Sequence, residues 1–599
     1  MKLLQLLALV SILSSTVFSQ TSDDKKPEDG KIVVGNSLNS NLSFEANGIV
    51  IDFKNHVTDG EILDFESKFA VDYEQYESFP NEKIGLIRFA GNLKKLISRM
   101  IKSPLVETVE PNAVYSLVGQ THNVSTVQGE DPKPTDFNDP YYQHQWHMAQ
   151  INLPQAFARV QGHGAIVAVI DTGVAYEDFE RFKRVRDLNE TEFVHPYDFV
   201  NKDHHANDDH GHGTHVAGTI AQSTNNGLGV VGIAPKSKIM PLKVLDGSGR
   251  GSLGAIAEAI KWAADKGAHV VNMSLGGPFP SKILRKACKY AAGKGVLLVC
   301  AAGNSGGSVG YPAKFPECMA VSAVQYDQKI TFYSSRGKEV NIAAPGGNVR
   351  VDQNGDGYPD GVLQNSIYAK DNAKDDYMLF MGTSMAAPHV AGAAALLVSA
   401  GITDSERIKK ILYSSANYKG EEKLYGAGIL DVGKAVDQAI TSTAWARIIA
   451  AFLMAFAFLK TSVFRLFHPL SLAGLVLFGS GIVSFGIEFT VDQFPGFLAY
   501  PVPVWDQAFL GINEANPIFR SAFWILLFVG FGYRLTWLRP FFQGVGFGLS
   551  GFLLVSAVMP QVDLTFVPVS FYGEFFWYLI NAFLAAYIAK HANPGKDSL

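Results

Sequence analysis

Cysteine is scarce: 599 residues contain three, Cys288, Cys300 and Cys318. An odd count leaves at least one thiol unpaired within the chain. A Cys300–Cys318 bridge and three buried thiols both fit the apolar runs LLVCAA and ECMAVSAV. Basic excess is also lacking. A net charge of -5 and a pI near 6.3 give no footprint for nucleic acid. Long apolar runs are missing from most of the chain and crowd into the last 150 or so residues. The average composition therefore hides two classes of protein, and the length exceeds what one core can organise.

The N-terminus, MKLLQLLALVSILSSTVFSQ, has one lysine, an apolar core and small residues at Val17 and Ser19. It reads as a secretory signal peptide over residues 1–19, with an uncleaved anchor as the alternative. After a polar linker, residues 31–119 suggest a small α+β domain. NGIVIDF and KIGLIRF are strand-like, and TDGEILDFESKFA and NLKKLISRMI have helical spacing. VETVEPNAVYSLV suggests two short strands around a turn, and the βαββαβ order fits a ferredoxin-like unit.

From about residue 136 to 440, continuous apolar runs (AIVAVI, KIMPLKVL, AHVVNMSL, VLLVCAA, MAVSAV) alternate with helical segments ending at glycine. Buried parallel strands read this way. The expectation is an α/β, doubly wound, mostly parallel sheet with its site at the carboxyl ends of the strands. Asp171 ends the first of these runs, and Ser384 opens an Ala-rich helix in MGTSMAAPHVAG.

DDHGHGTHVAGT holds His210, His212 and His215. Three imidazoles suggest zinc, but helical zinc-protease motifs carry a Glu where Gly213 and Thr214 stand. The other reading is a relay. A serine hydroxyl needs a base, and the base needs an orienting carboxylate; Ser384, His212 and Asp171 supply them.

AVIDTG, HGHGTHVAGT, SLGG, AAGN and GTSMAAPHV, in that order, resemble the motif blocks of the subtilisin-like serine proteases. The resemblance implies a serine endopeptidase in which Ser384 attacks, His212 is the base and Asp171 orients it. It implies Asn304 as the oxyanion-hole donor, and His215 and His389 as packed, hydrogen-bonded helix residues. His210 is expected to be solvated. SLGG (Ser274, Leu275, Gly276) and DGSGRG (Gly247, Gly249) look like the edges between which a substrate strand pairs, with Gly303 of AAGN nearby. Protein or peptide substrates with a broad, apolar preference follow. Residues 31–119 resemble the propeptides of such proteases, which assist folding and occupy the site as inhibitors. A zymogen follows, as does the alternative of an inactive peptide-binding relative.

Calcium is the expected stabilising ion. VDQNGDGYPDG places Asp352, Asn354, Asp356 and Asp360 at EF-hand ligand positions with Gly357 at the turn, but Leu363 stands where the bidentate Glu belongs. Resemblance to the thermitase-like branch puts Asp139 and Asn226, with the carbonyls of Leu228 and Val230, on a second site. It puts Asp198, Asn201, Asp203 and Asn207 on a third, where Asn201 replaces a usual Asp.

Residues 444–592 suggest about five membrane spans, near 444–461, 470–488, 515–533, 541–560 and 573–590. The first is short of apolar length, so Arg447 and Lys460 must snorkel. The Lys/Arg bias of the loops puts the C-terminus in the cytoplasm and the protease outside. A multi-pass protein with a periplasmic protease, in a bacterial inner membrane, is the expected location. A transporter or sensor regulated by its protease domain is a further alternative, although the spans hold almost no ionisable residue at mid-depth.

Overall fold

The computed structural model describes residues 44–89, 92–117, 137–368, 371–459, 466–479, 521–522, 525–526, 535–558 and 571–592. The signal peptide, the stretch between residues 117 and 137, and most of the expected third span lie outside these residues.

The N-terminal unit has strands β1 (Phe44–Phe53), β2 (Val71–Gln75), β3 (Ile84–Phe89) and β4 (Val106–Leu117), with helices α1 (Asp59–Phe69) and α2 (Leu93–Met100). The sheet order is β4-β1-β3-β2. Thr58 starts α1 through a reciprocal capping box with Glu61, which satisfies two otherwise orphaned backbone donors. Ile49, Ile51, Phe53, Phe65 and Met100 fill the core beneath the helices. Two expectations need correction. The observed order is βαββαβ, but the segment forming its second strand, VDYEQ of β2, was not among those read as strands, because it has no clean alternation. The segment 106–117 is one strand rather than two around a turn. Pro111 is tolerated where β4 leaves its register with β1, a position that requires no regular ladder donor.

The second unit carries the sheet β13-β12-β11-β9-β5-β7-β6, in which each recorded pair is parallel. Its strands are β5 (Ile166–Asp171), β6 (Tyr197–Asp198), β7 (Lys238–Lys243), β9 (Val270–Met273), β11 (Leu297–Ala301), β12 (Cys318–Val324) and β13 (Val340–Pro345). Both faces are buried, as the continuous apolar runs require. In β5, Val167 and Val169 point into one core and Ala168 and Ile170 into the other. Helices α3 (His212–Ala221) and α6 (Thr383–Ser399) cover the first face. Helices α4 (Leu253–Asp265) and α5 (Lys282–Gly293) cover the second. The order reverses beside β5, so the ends of β5 and β9 open a crevice. A hairpin of β14 (Val362–Tyr368) and β15 (Asp371–Phe380) precedes α6.

The three cysteines are buried free thiols, so the Cys300–Cys318 bridge is not formed. Across β11 and β12, Cys318 pairs with Leu298 and Cys300 with Ala320. Cys318 Sγ lies 3.9 Å from Cys288 Sγ of α5.

Helix α7 (Ser405–Ser415) packs on α8 (Val432–Leu459), a single 28-residue helix. Its first turns lie in the catalytic core through Val432, Ala435, Val436 and Ala439. Its later turns pack through Ile448, Ala451, Met454 and Ala455 against an apolar bundle with α9 (Pro469–Gly479), α10 (Arg539–Val558) and α11 (Phe571–Ala592). Two helices among the described residues, Val432–Leu459 and Arg539–Ala557, are long and apolar enough to cross a membrane. Arg447 does not snorkel. It is buried, with its guanidinium 4.9 Å from the Phe552 ring centre, because it faces α10 rather than the outer surface.

Candidate active site

Asp171 is the last residue of β5, and His212 is the first residue of α3. Gly211 takes a positive φ of 97° to turn the chain into α3. A Cβ there would meet the Ile367 carbonyl at 2.6 Å, so glycine serves both the turn and the close approach. Asp208 locks this turn: its carboxylate accepts from the His210, Gly211 and Thr214 amides and from the Thr172 and Thr214 hydroxyls, at 2.6 to 2.9 Å. His212 Nδ1 then lies 2.7 Å from Asp171 Oδ1, both side chains buried. The carboxylate partner makes Nδ1 the protonated nitrogen and leaves Nε2 as the base. Nε2 is buried with no partner among the described residues.

Ser384 is the second residue of α6, where the helix N-terminus favours a developing anion. Its Oγ donates to the Ser274 carbonyl at 3.1 Å, while Ser274 Oγ donates to the Ser384 carbonyl at 2.7 Å. Asn304 Oδ1 accepts from Thr383 N at 2.9 Å and Thr383 Oγ1 at 2.8 Å. An N–H only donates, so these bonds identify the amide oxygen and leave the NH2 as the donor side of the amide. Gly303, at φ 119°, leaves room for Ser335 Oγ and donates to Thr383 Oγ1 at 3.2 Å.

β4 runs between the two expected substrate edges. On one side, Leu117 and Ser116 pair antiparallel with Leu275 and Gly276 of β10 (Leu275–Gly276). On the other, Ser116, Tyr115 and Val114 pair with Arg250, Gly251 and Ser252 of β8 (Arg250–Ser252), and Leu117 N donates to the Gly249 carbonyl at 3.0 Å. A Cβ on Gly249 would lie 2.7 Å from Leu117 Cδ1. Gly247 is not in this strand contact; it stands beside the Asp209 carboxylate.

The chain spanning residues 162–428 matches the Subtilase family model of peptidases. It is 36% identical over 345 residues to the thermostable alkaline protease of Halalkalibacterium halodurans, covering 57% of this chain and 81% of that one. The chain belongs to the subtilase family. It is a subtilisin-like serine peptidase, and the family implies a catalytic triad. Thermitase of Thermoactinomyces vulgaris is also 36% identical, over 50% of this chain and 98% of its own. Fervidolysin from Fervidobacterium pennivorans, a keratinolytic enzyme related to subtilisin, superposes with a TM-score of 0.55 at 25% identity, over 70% of this chain and 65% of that one.

Of the other histidines in this subtilase, His215 and His389 are packed as expected. His215 Nε2 lies 3.0 and 3.1 Å from the Val362 and Met378 carbonyls, and His389 Nε2 lies 2.9 Å from His147 Nδ1. His210 differs from the expectation of a solvated residue. It is half-buried, its Nε2 facing Gly249, and burial lowers its pKa.

Asp139 and Asn226 come together with Asp187, which sequence reasoning missed. Asp139 accepts from the Asn225 and Asn226 amides at 2.8 and 3.4 Å, and Asn226 Nδ2 donates to Asp187 Oδ1 at 2.9 Å. Burial pushes the Asp139 carboxyl up to about 6 and the Asp187 carboxyl up to about 8, with Asp139 itself adding to the latter. Neither makes an ion pair among the described residues. The other two loops are closed on themselves. Asp198 accepts from the Val200 and Asn201 amides and from Asn201 Nδ2 at 2.8 Å; Asp203 Oδ1 accepts from His205 N. Asp352, Asn354 and Asp356 accept from Gly355, Gly357, Asp356 and Tyr358 amides, and Asp356 Oδ2 also meets His144 Nδ1 at 3.0 Å. Asp360 Oδ2 accepts from Gln353 N, and its Oδ1 is buried with no partner. Among the described residues, no group of three or more His, Cys, Asp or Glu side chains is arranged to hold a metal.

Proposed function

We propose that this chain is a membrane-tethered serine endopeptidase made as a self-processing zymogen. The observation that carries the reading is the strand 114–117 lying between the 249–252 and 275–276 edges, next to the Ser274–Ser384 contacts. An extended peptide held on both sides presents its carbonyls at fixed register to the nucleophile. Ser384 Oγ attacks the peptide carbonyl after its proton passes to His212 Nε2. Asp171 holds the imidazole tautomer and stabilises the imidazolium. The Asn304 NH2 group donates to the oxyanion. His212 then returns the proton to the leaving amine. Residues 44–117 are the inhibitor: their own strand fills the cleft that a substrate needs.

Calcium is the stabilising ion in this reading, held by Asp139, Asp187 and Asn226 with the Leu228 and Val230 carbonyls. Two buried carboxylates without a cation fit a divalent ion, since uncompensated buried charge is costly. Its contribution there is charge neutralisation of the folded state. At the Asp198 and Asp352 loops, calcium would have to replace the bonds from the loops' own amides.

Tethering is supported by outward apolar stripes: Ile449, Leu453 and Phe456 on α8, and Phe576, Ile580, Phe583 and Tyr587 on α11, are exposed. Exposed apolar stripes of this size need a covering surface. The protease faces the extracytoplasmic side in this reading. Membranes bearing the full chain, divided into one portion given a fluorophosphonate probe and a separate portion given casein, test the activity. Labelling and casein cleavage are expected, both absent in Ser384→Ala. Casein turnover without labelling would overturn the serine mechanism.

A further inference from the structure

A cleft of about 640 Å³ opens where the catalytic unit meets the bundle, between α7 and α8. Its floor is apolar, from Ile411 and Tyr413, and its rim carries Arg407 and Lys410. The two helices run antiparallel here. Arg407 Nη2 donates to Ser442 Oγ at 2.8 Å, and Ser414 Oγ to Gln438 Oε1 at 2.9 Å. The N-terminus of α7 therefore points along α8 toward the apolar bundle. Ser442 lies seven residues before Ile449, the first large apolar residue of α8 that is exposed among the described residues, a rise of about 10 Å. That places the rim in the zone where headgroups would lie if Ile449 marks the hydrocarbon edge.

The acidic neighbours are engaged by groups other than the Arg407 and Lys410 side chains. Asp404 caps α7 by accepting from Arg407 N at 2.7 Å. Glu406 is paired with Lys409 at 2.7 Å. Asp437 is engaged by Arg159 and Gln155. Arg407 and Lys410 form no ion pair among the described residues, and Lys410 is exposed.

We propose that this cleft binds the headgroup of an anionic phospholipid, its phosphate between Arg407 and Lys410. The proposal rests on the membrane reading above. Arg407 offers a planar donor fork for phosphate oxygens, and Lys410 offers a point charge one turn away. The site holds the catalytic unit against the surface from which α8 descends.

The test uses the full chain carrying Ser384→Ala, purified in a neutral detergent, with phosphatidylglycerol or phosphatidylcholine titrated in and binding read by native mass spectrometry. Phosphatidylglycerol should bind about tenfold more tightly, and Arg407→Gln/Lys410→Gln should remove that preference. Arg407→Lys/Lys410→Arg should restore most of it. Fluorophosphonate labelling of the Gln/Gln variant with Ser384 intact reports that it is folded. A preference unchanged in the folded Gln/Gln variant overturns the site. Saturation by inorganic phosphate alone, with no gain from lipid, overturns the phospholipid as ligand. Alkaline carbonate extraction separates the two readings: release of the chain overturns the tether, whereas retention without lipid preference overturns the headgroup site alone.

Discussion

Leu117 lies opposite Leu275, and its N–H donates to the Gly249 carbonyl at 3.0 Å, so a segment of the N-terminal unit is the middle strand of the cleft. β4 thus ends beside the Ser274–Ser384 contacts. Ser384→Ala is therefore expected to leave the N-terminal unit covalently attached. In a host without other processing proteases, denaturing gels should show one long species for the variant and a shorter one for the wild type. A processed variant would refute self-cleavage.

Grip on the N-terminal unit also comes from outside the cleft. Glu110 accepts from Ser281 Oγ at 2.6 Å and from Lys282 N at 2.9 Å, satisfying the first turn of α5. Loss of such a cap costs about 1 kcal/mol, or about fivefold in affinity. Glu110→Ala should shorten the lag before casein cleavage begins, with the final rate unchanged. An unaltered lag would remove the cap from the account of inhibition.

Asn304 acts on the transition state if its NH2 meets the oxyanion. Asn304→Ala should then lower kcat by about 10² to 10³-fold with little change in KM. An equal rise in KM with kcat unchanged would mean ground-state binding instead.

The subtilase motif blocks were legible because each sits at a strand end or helix start with local sequence constraints: Asp171 at the end of a buried run, His212 after a turn glycine, Ser384 in the first turn of an Ala-rich helix. Five of the seven strands of the parallel sheet were legible because strands buried on both faces read as unbroken apolar runs; the two outermost strands, β6 and β13, were not, since YD is only two residues long and VNIAAP is interrupted by Asn341. Asp187 was not legible. It lies in RVRDLNE, a polar irregular stretch, and its partners Asp139 and Asn226 are dozens of residues away. Nor was the single β4, where Pro111 suggests a break that tertiary pairing overrides. His210 reads as a polar loop residue, yet Gly249 brings the cleft edge against it.

The missed aspartate gives the sharpest metal test. Asp139 and Asp187 share a buried site, so a bound cation adds stability by mass action, about 2.7 kcal/mol at one hundred times Kd. Wild-type protein should melt several degrees lower in EGTA. Asp187→Asn should melt at one temperature with or without calcium. A calcium response preserved in Asp187→Asn would move the ion to another loop.

Acid should destabilise the folded chain through its buried histidines. Burial lowers the His215 pKa to about 3 and the His389 pKa to about 4, and holds His147 well below the ordinary value. The bonds these rings make suit neutral imidazoles. His389 Nδ1 donates to the Met385 carbonyl at 2.7 Å, so its Nε2 accepts from His147 Nδ1 at 2.9 Å. Unfolded histidines titrate near 6.5. Between that value and the folded ones, the unfolded chain holds more protons than the folded chain, so stability rises with pH. Each such group contributes a slope of about 1.4 kcal/mol per pH unit. The window is the range from about pH 6.5 down to about 4. Melting of the Ser384→Ala protein, calcium held saturating, should fall progressively across it. A melting temperature flat from pH 6.5 to about 4.5 would mean that these rings are protonated in the folded state after all.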